Sequence, residues 1–374
     1  MHTLLHATRT AALIAGLLIC AGLPARAAEE ASAADTARIL AGMQPAATSP
    51  LAALTKEPGW QQHARSFDAD WKSLEGRQLS RIRAWSTATL TDRKPTMFYM
   101  FSGPDFLYAD AFFPAARTYV LSGLEPVGRI PDLTKLRRGA LAGSLAQIRS
   151  SLSSVLNYSF FITKNMKTQL RSGELTGTVP ILYVFLARSG KTISDVSLVA
   201  LDKDGVEQPM GTTAAPRGQS TGVKIAFAGS DGVKRTLYYF STDLSDSGVA
   251  NSGFLKFCEK LAPGDSFIKS ASYLLHSGNF SKVREFLLAN SAAVVQDDSG
   301  VPVRYFAPEQ WQLHPFGNYI GPISIFSNQY QPKLREVFQR GRARPIDFGV
   351  GYRWRVRESN LLVAVKSKKA ASSQ

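Results

Sequence analysis

The stretch MFYMFSGPDFLYADAFFP, residues 97–114, most strongly limits the folds open to this chain. It begins with an apolar run typical of a buried strand, continues through the turn formers Ser102 to Asp105, and then shows a helical pattern. A second strand is predicted at residues 119–121. Strand, turn, helix and strand in this order predict an α/β fold, with helices packed on a sheet.

Both strand and helix patterns recur along the rest of the chain. Aromatic and apolar residues at helical spacing predict a helix over residues 60–74, and Asp132 is predicted to cap a longer helical region. We therefore expect a mixed sheet with flanking helices in the N-terminal half and antiparallel hairpins plus helices in the C-terminal half. The remaining predicted elements are strands at 179–188 and 195–202, hairpin turns at 204–205, 230–232 and 298–300, helices within 251–290, a helix at 332–340, and a final strand pair at 346–356 and 361–366.

The N-terminal residues predict an export signal. A basic start, the apolar run AALIAGLLICAGL and a small-x-small site at Ala25 to Ala27 define residues 1–27 as a signal peptide, cleaved after Ala27. Residues 28–55 form an Ala-rich lead-in, and residues 56–374 a single mixed α/β domain, with a second lobe from about residue 178 as the alternative. We expect an exported protein, periplasmic or extracellular, whose mature chain has no transmembrane segment.

The chain is basic, with a formal net charge of +15. This balance favours an anionic envelope polymer or lipid head groups as partner; we do not expect nucleic acid. A compositional habit of exported proteins accounts for the charge equally well. In residues 346–357, apolar and polar positions alternate, which places Arg353, Arg355 and Arg357 on one face of a predicted strand. The hypothesis is that these arginines bind phosphate or carboxylate groups, and the alternative is a solvated face.

The junction after the first strand has two interpretations. Glu125 lies 22 residues after Gly103, close to the spacing of about 20 expected for a carboxylate that binds a ribose hydroxyl. Against nucleotide binding, the turn has one glycine instead of three, Pro104 lacks an amide hydrogen and Asp105 would repel phosphate. An ordinary strand-to-helix corner is the simpler interpretation. Ligands of open α/β sheets bind at strand carboxyl ends, so Ser102, Asp105 and Glu125 are the candidate binding residues there.

Several quoted stretches also resemble known sequences. FYMFSGPDFLYADAFFP, YVLSGLEPVG, LYYFSTDLS, VVQDDSGVPVRYF and FGNYIGPI are similar to segments of a group of exported bacterial proteins with no assigned function. The similarity extends over much of the chain after the signal. It implies export and says nothing about chemistry.

The usual catalytic and metal-binding patterns are absent from the sequence. Ser266 and Lys269 match Ser-x-x-Lys by chance, the histidines are scattered, and Cys258 reads as a buried inert thiol. We therefore expect no metal site and no cofactor. Two functions remain, and whether the chain is an enzyme stays open. A non-catalytic envelope-associated protein that binds an anionic partner is slightly favoured, and an exported hydrolase or transferase with its site between Ser102 and Glu125 is the alternative.

Overall fold

The structure is a computed structural model that describes residues 33–137, 139–160, 175–210 and 219–367. The predicted signal peptide lies outside these ranges. No helix within them is long and apolar enough to span a membrane. Residues 33–40 of the predicted lead-in are helical, and Ile39 and Leu40 are buried in the main core.

The core is a single ten-stranded mixed sheet, which confirms the predicted α/β fold class. Its strands are β1 Thr96–Tyr99, β2 Thr118–Gly123, β3 Thr192–Leu201, β4 Glu207–Pro209, β5 Thr221–Ala228, β6 Lys234–Ser241, β7 Gly264–Ile268, β8 Ser291–Gln296, β9 Trp311–Gly317 and β10 Asn360–Lys366. Their spatial order is β4-β3-β5-β6-β2-β1-β7-β8-β10-β9. The five central strands from β6 to β8 run parallel, and the flanking pairs are antiparallel.

Helices cover both faces of the sheet. They are α1 Pro58–Leu74, α2 Ser80–Thr89, α3 Phe106–Phe112, α4 Ala140–Tyr158, α5 Val179–Arg188, α6 Asp246–Val249, α7 Phe254–Lys260, α8 Ser281–Asn290 and α9 Pro332–Arg340. Helices α1 to α5 pack on one face, and α6 to α8 pack on the other. Because neither face of the central strands meets water, β1 and β2 read as continuous apolar runs rather than as alternating ones.

The chain order of the parallel strands determines where a ligand can bind. From β1 the chain passes to β2 and then β6 on one side, and it returns to β7 and β8 on the other side. Numbered along the chain, these five strands have the spatial order 3-2-1-4-5, the core of the doubly wound nucleotide-binding arrangement. The connections after β1 and after β7 diverge to opposite faces. This divergence opens a crevice beyond the carboxyl ends of both strands.

Three of the predicted strands are absent, and helical structure replaces two of them. Residues 179–188 form helix α5 instead of a strand, and all residues from Val179 to Ala187 are buried. A short run that is apolar on every side fits a buried helix as well as a buried strand. The turn at 298–300 does not make a hairpin, because residues 303–305 form a 3₁₀ turn. Strand β8 pairs instead with β7 and β10.

The segment 346–356 is also not a strand, so that prediction was wrong. Its residues form bends and turns, with the single strand β10 following at Asn360. Gly349 explains the difference, since a Cβ there would lie 1.4 Å from the carbonyl oxygen of Trp354. The chain folds back on itself at this point, and the alternating faces inferred for the arginines do not exist.

The hairpins predicted at 204–205 and 230–232 are confirmed as the antiparallel pairs β3–β4 and β5–β6. The region 251–290 contains helices as expected. It also contains strand β7, which the sequence patterns did not indicate.

Candidate functional site

A cavity of about 130 Å³ lies in the crevice where the strand connections diverge. Its walls come from the segments that follow four of the parallel strands, β1, β2, β6 and β7. Apolar side chains form one part of the wall: Phe101, Leu124, Leu244, Leu274 and Phe280. Polar residues form another part: Glu125, Thr242, Asp243, Ser270 and Ser272.

Glu125 is the most deeply placed charged group of this wall, with 2 % of its surface exposed. It follows the end of β2, and the Tyr239 hydroxyl donates to its main-chain oxygen at 2.8 Å and lies 3.3 Å from Oε2. Two glycines make room for the carboxylate. A Cβ at Gly123 would lie 2.3 Å from Oε2, and one at Gly103 would lie 3.3 Å from it. The backbone at Gly123 therefore leaves no room for a Cβ unless the carboxylate moves, and Gly103 has a left-handed φ of 57°, which favours glycine.

The turn after β1 is closed by its own hydrogen bonds. The amides of Ser102 and Gly103 both donate to the carbonyl oxygen of Ser122, at 2.9 and 3.1 Å. The Ser102 hydroxyl donates to the carbonyl oxygen of Gly103 at 2.7 Å. Ser102 is buried and does not line the cavity. Through these hydrogen bonds Ser102 links the end of β1 to β2. Of the three candidate binding residues near this junction, only Glu125 lines the cavity.

Asp105 belongs to a buried ion pair behind the cavity. Its carboxylate caps α3 by accepting from the amide of Tyr108 at 3.2 Å. Oδ2 lies 3.0 Å from Nζ of Lys269 and accepts from the hydroxyl of Tyr99 at 2.9 Å. The ammonium group also donates to the carbonyl oxygen of Ser159 and lies 4.1 Å from the ring centre of Tyr108. Burial, reinforced by the charge of Asp105, raises the pKa of Tyr99 well above its ordinary value.

The segment after β7 has an unusual backbone. Ser270, Ser272 and Tyr273 all have positive φ angles, between 51° and 55°. Such left-handed conformations are uncommon for residues with a side chain, and they cluster at ligand sites. Phe101, across the cavity, has a φ of 60°. The hydroxyl of Ser270 is buried and has no hydrogen-bond partner among the described residues.

Two buried carboxylates hold this strained segment in place. Asp297 accepts from the amide of Ser270 at 2.9 Å, and Asp298 accepts from the hydroxyl of Tyr273 at 2.7 Å. Burial, followed by the charge of Asp298, raises the pKa of Asp297 to about 6. Burial likewise raises the pKa of Asp298. Neither carboxylate lines the cavity. Both bind the segment after β7, which forms part of the cavity wall.

The three arginines do not line the cavity either. Arg353 donates to the carbonyl oxygens of Gly321 and Pro322, at 3.1 and 2.7 Å, and lies 3.5 Å from the carboxylate of Glu358. Arg355 is mostly exposed and lies 3.6 Å from the same carboxylate. Arg357 is exposed. Arg353 and Arg355 therefore share the carboxylate of Glu358, and the three arginines do not form one solvated row.

Sequence reasoning missed Thr242, Asp243, Ser270 and the supporting Lys269. The first two follow β6, a strand that the sequence did predict, so the strand-end rule could have found them. The other two follow β7, which carried no strand signal. Among the described residues, no group of three or more His, Cys, Asp or Glu side chains is arranged to hold a metal ion. Cys258 is buried, which raises its pKa well above the ordinary value.

The chain was also compared with known proteins. No known family, curated protein or solved structure matches it. The geometry of the cavity therefore carries the functional argument.

Proposed function

We propose that this chain binds a small molecule bearing a sugar ring with neighbouring hydroxyl groups, in the cavity at the carboxyl ends of the parallel strands. The observation that carries the proposal is the position of Glu125. In sheets with the order 3-2-1-4-5, the acidic residue at the end of the second strand accepts hydrogen bonds from ribose hydroxyls. Glu125 follows that strand and lines the cavity, and its carboxylate lies close to the backbone of Gly103 and Gly123.

The dimensions of the cavity support a ligand with one buried ring. Its volume of about 130 Å³ is below the roughly 300–1,000 Å³ that encloses a drug-sized ligand. The ring would be enclosed, and any larger substituent would lie against the apolar side chains of Phe101, Leu124 and Phe280. Ser270 also lines the cavity, and its buried hydroxyl has no hydrogen-bond partner among the described residues. A free sugar and a nucleoside share this chemistry.

The residues that line the cavity favour ligand binding over hydrolysis by a nucleophilic side chain. The cavity-lining residues within the described ranges include no histidine, cysteine or lysine. Ser270 has no base within hydrogen-bonding distance in the same ranges, so nothing activates its hydroxyl as a nucleophile. A transferase acting on a sugar-bearing ligand would also need Glu125 to bind that ligand. Ligand binding is therefore common to a non-catalytic binding protein and to a transferase.

Binding of an anionic envelope partner through the arginines has less support. The donors of Arg353 already serve two carbonyl oxygens, and Glu358 offsets the charge of Arg353 and Arg355. The net charge of +15 still favours anionic surfaces in general. Export stays a prediction from the N-terminal sequence.

The proposal is tested by calorimetric titration of adenosine and of free ribose into the native protein and a Glu125→Gln variant. We expect saturable binding of adenosine, or of both, and at least a tenfold weaker affinity in the variant, since hydrogen bonds to a charged group contribute about 1.5–3 kcal/mol. Glu358→Gln, at a residue that does not line the cavity, is the matched control and should bind as the native protein does. Equal affinities of the native and Glu125→Gln proteins would refute the role of Glu125.

A further inference from the structure

We infer that the cavity selects a sugar-bearing ligand that carries no phosphate and favours one with a positively charged substituent. This inference rests on the proposed function and concerns the charge of the ligand. A nucleotide-type position for Glu125 would ordinarily suggest a phosphate-bearing ligand. Three features of this site favour a ligand without a phosphate group.

The charged groups of the wall are all acidic. Glu125 and Asp243 line the cavity, and no Lys, Arg or His does so within the described residues. Asp243 is exposed at the rim, where its Oδ1 accepts from the amide of Ser245 at 2.9 Å. No basic side chain pairs with Asp243 in the part of the chain that the structure describes. A phosphate entering the cavity would thus meet the carboxylates of Glu125 and Asp243 and no Lys, Arg or His side chain among the described lining residues.

The backbone donors that bind phosphate in nucleotide sites are already used. The amides of Ser102 and Gly103 point to Ser122, and Pro104 has no amide hydrogen. Helix α3 has seven residues and is capped by the carboxylate of Asp105. The place that a phosphate would take at a helix start therefore holds an acidic side chain.

The buried cation at the end of β7, Lys269, is already paired with a carboxylate. Lys269 is 2 % exposed, pairs with Asp105 and does not line the cavity. The carboxylate of Asp105 therefore offsets the charge of Lys269, and a ligand in the cavity gains little from that charge. An ammonium group on the ligand, in contrast, would gain from the charge of Asp243 at the rim.

Three matched probes test this selectivity: adenosine, adenosine 5′-monophosphate and 5′-amino-5′-deoxyadenosine, which differ only in the substituent at the 5′ carbon: a neutral hydroxyl, an anionic phosphate or a cationic ammonium group. For the native protein at low salt we expect the monophosphate to bind at least tenfold more weakly than adenosine, and the amino compound to bind more tightly. Asp243→Asn, a change at an exposed side chain, should remove most of the advantage that the amino compound has over adenosine. Added salt should narrow the differences, because the rim is solvated.

The outcomes separate the two proposals. Monophosphate binding as tight as that of adenosine, with loss of both in Glu125→Gln, would overturn the charge selectivity and leave the sugar-binding function intact. Equal affinities of all three probes in the native and Asp243→Asn proteins would also overturn it. If none of the three binds, sugar binding at Glu125 fails, and the selectivity fails with it.

Discussion

Replacing Lys269 with methionine is expected to lower the free energy of unfolding by about 3–5 kcal/mol. The ammonium group is 2 % exposed and lies 3.0 Å from the carboxylate of Asp105, which is 1 % exposed. Methionine fills a similar volume, so the main effect is an unpaired carboxylate that water cannot reach. Chemical denaturation followed by circular dichroism measures the loss.

Two further variants make this prediction specific. Lys256→Met breaks an exposed pair with Asp204, whose side chains are 57 % and 59 % exposed, and should lower the free energy of unfolding far less, because water solvates both groups. Asp105→Asn combined with Lys269→Met should recover part of the loss, because asparagine keeps the helix cap without the charge. A single Lys269→Met variant as stable as Lys256→Met would show that the pair does not hold the site together.

Replacing Gly123 with alanine is expected to weaken adenosine binding by about a hundredfold or more. The new Cβ would lie 2.3 Å from Oε2 of Glu125 and 2.9 Å from the Cα of Gly103. The carboxylate must move out of its place, and the turn after β1 must shift as well. Because overpacking of this kind costs about 1–3 kcal/mol, we also expect reduced stability. Titration at a temperature where the variant remains folded separates the two effects.

The matched control is Gly143→Ala in helix α4, where a Cβ would meet nothing within 4 Å. Alanine stabilises a helix interior by up to about 1 kcal/mol over glycine, and binding should not change. Native affinity in the Gly123→Ala variant would mean that the carboxylate position beneath the glycines is not needed for the ligand.

The region from β1 to β2 was predictable because local signals agreed there. An apolar run, a turn with proline and a helical pattern correspond to β1, the turn and α3. The spacing to Glu125 follows from the length of that unit, so the sequence alone indicated this carboxylate. It could not separate Glu125, which lines the cavity, from Ser102 and Asp105, which do not.

Other parts of the fold depend on contacts distant in sequence. Strand β7 has five residues, including Gly264, Asp265 and Ser266, and only its neighbours β1 and β8 make it a strand. Lys269 was therefore not placed at a strand end. The alternation in residues 346–356 predicted a strand, but the close approach of Gly349 to Trp354 folds the chain back there. Periodicity does not detect such an approach.

The most direct test of the central claim locates the bound ligand. Adenosine is titrated into the isotopically labelled native protein, and the shifts of assigned backbone amide resonances are recorded by nuclear magnetic resonance. We predict that the largest changes fall on residues at the carboxyl ends of the parallel strands: Gly103, Gly123, Leu124, Thr242, Ser270 and Ala271. Changes concentrated instead in residues 353–358, or scattered without relation to these strand ends, would contradict the account.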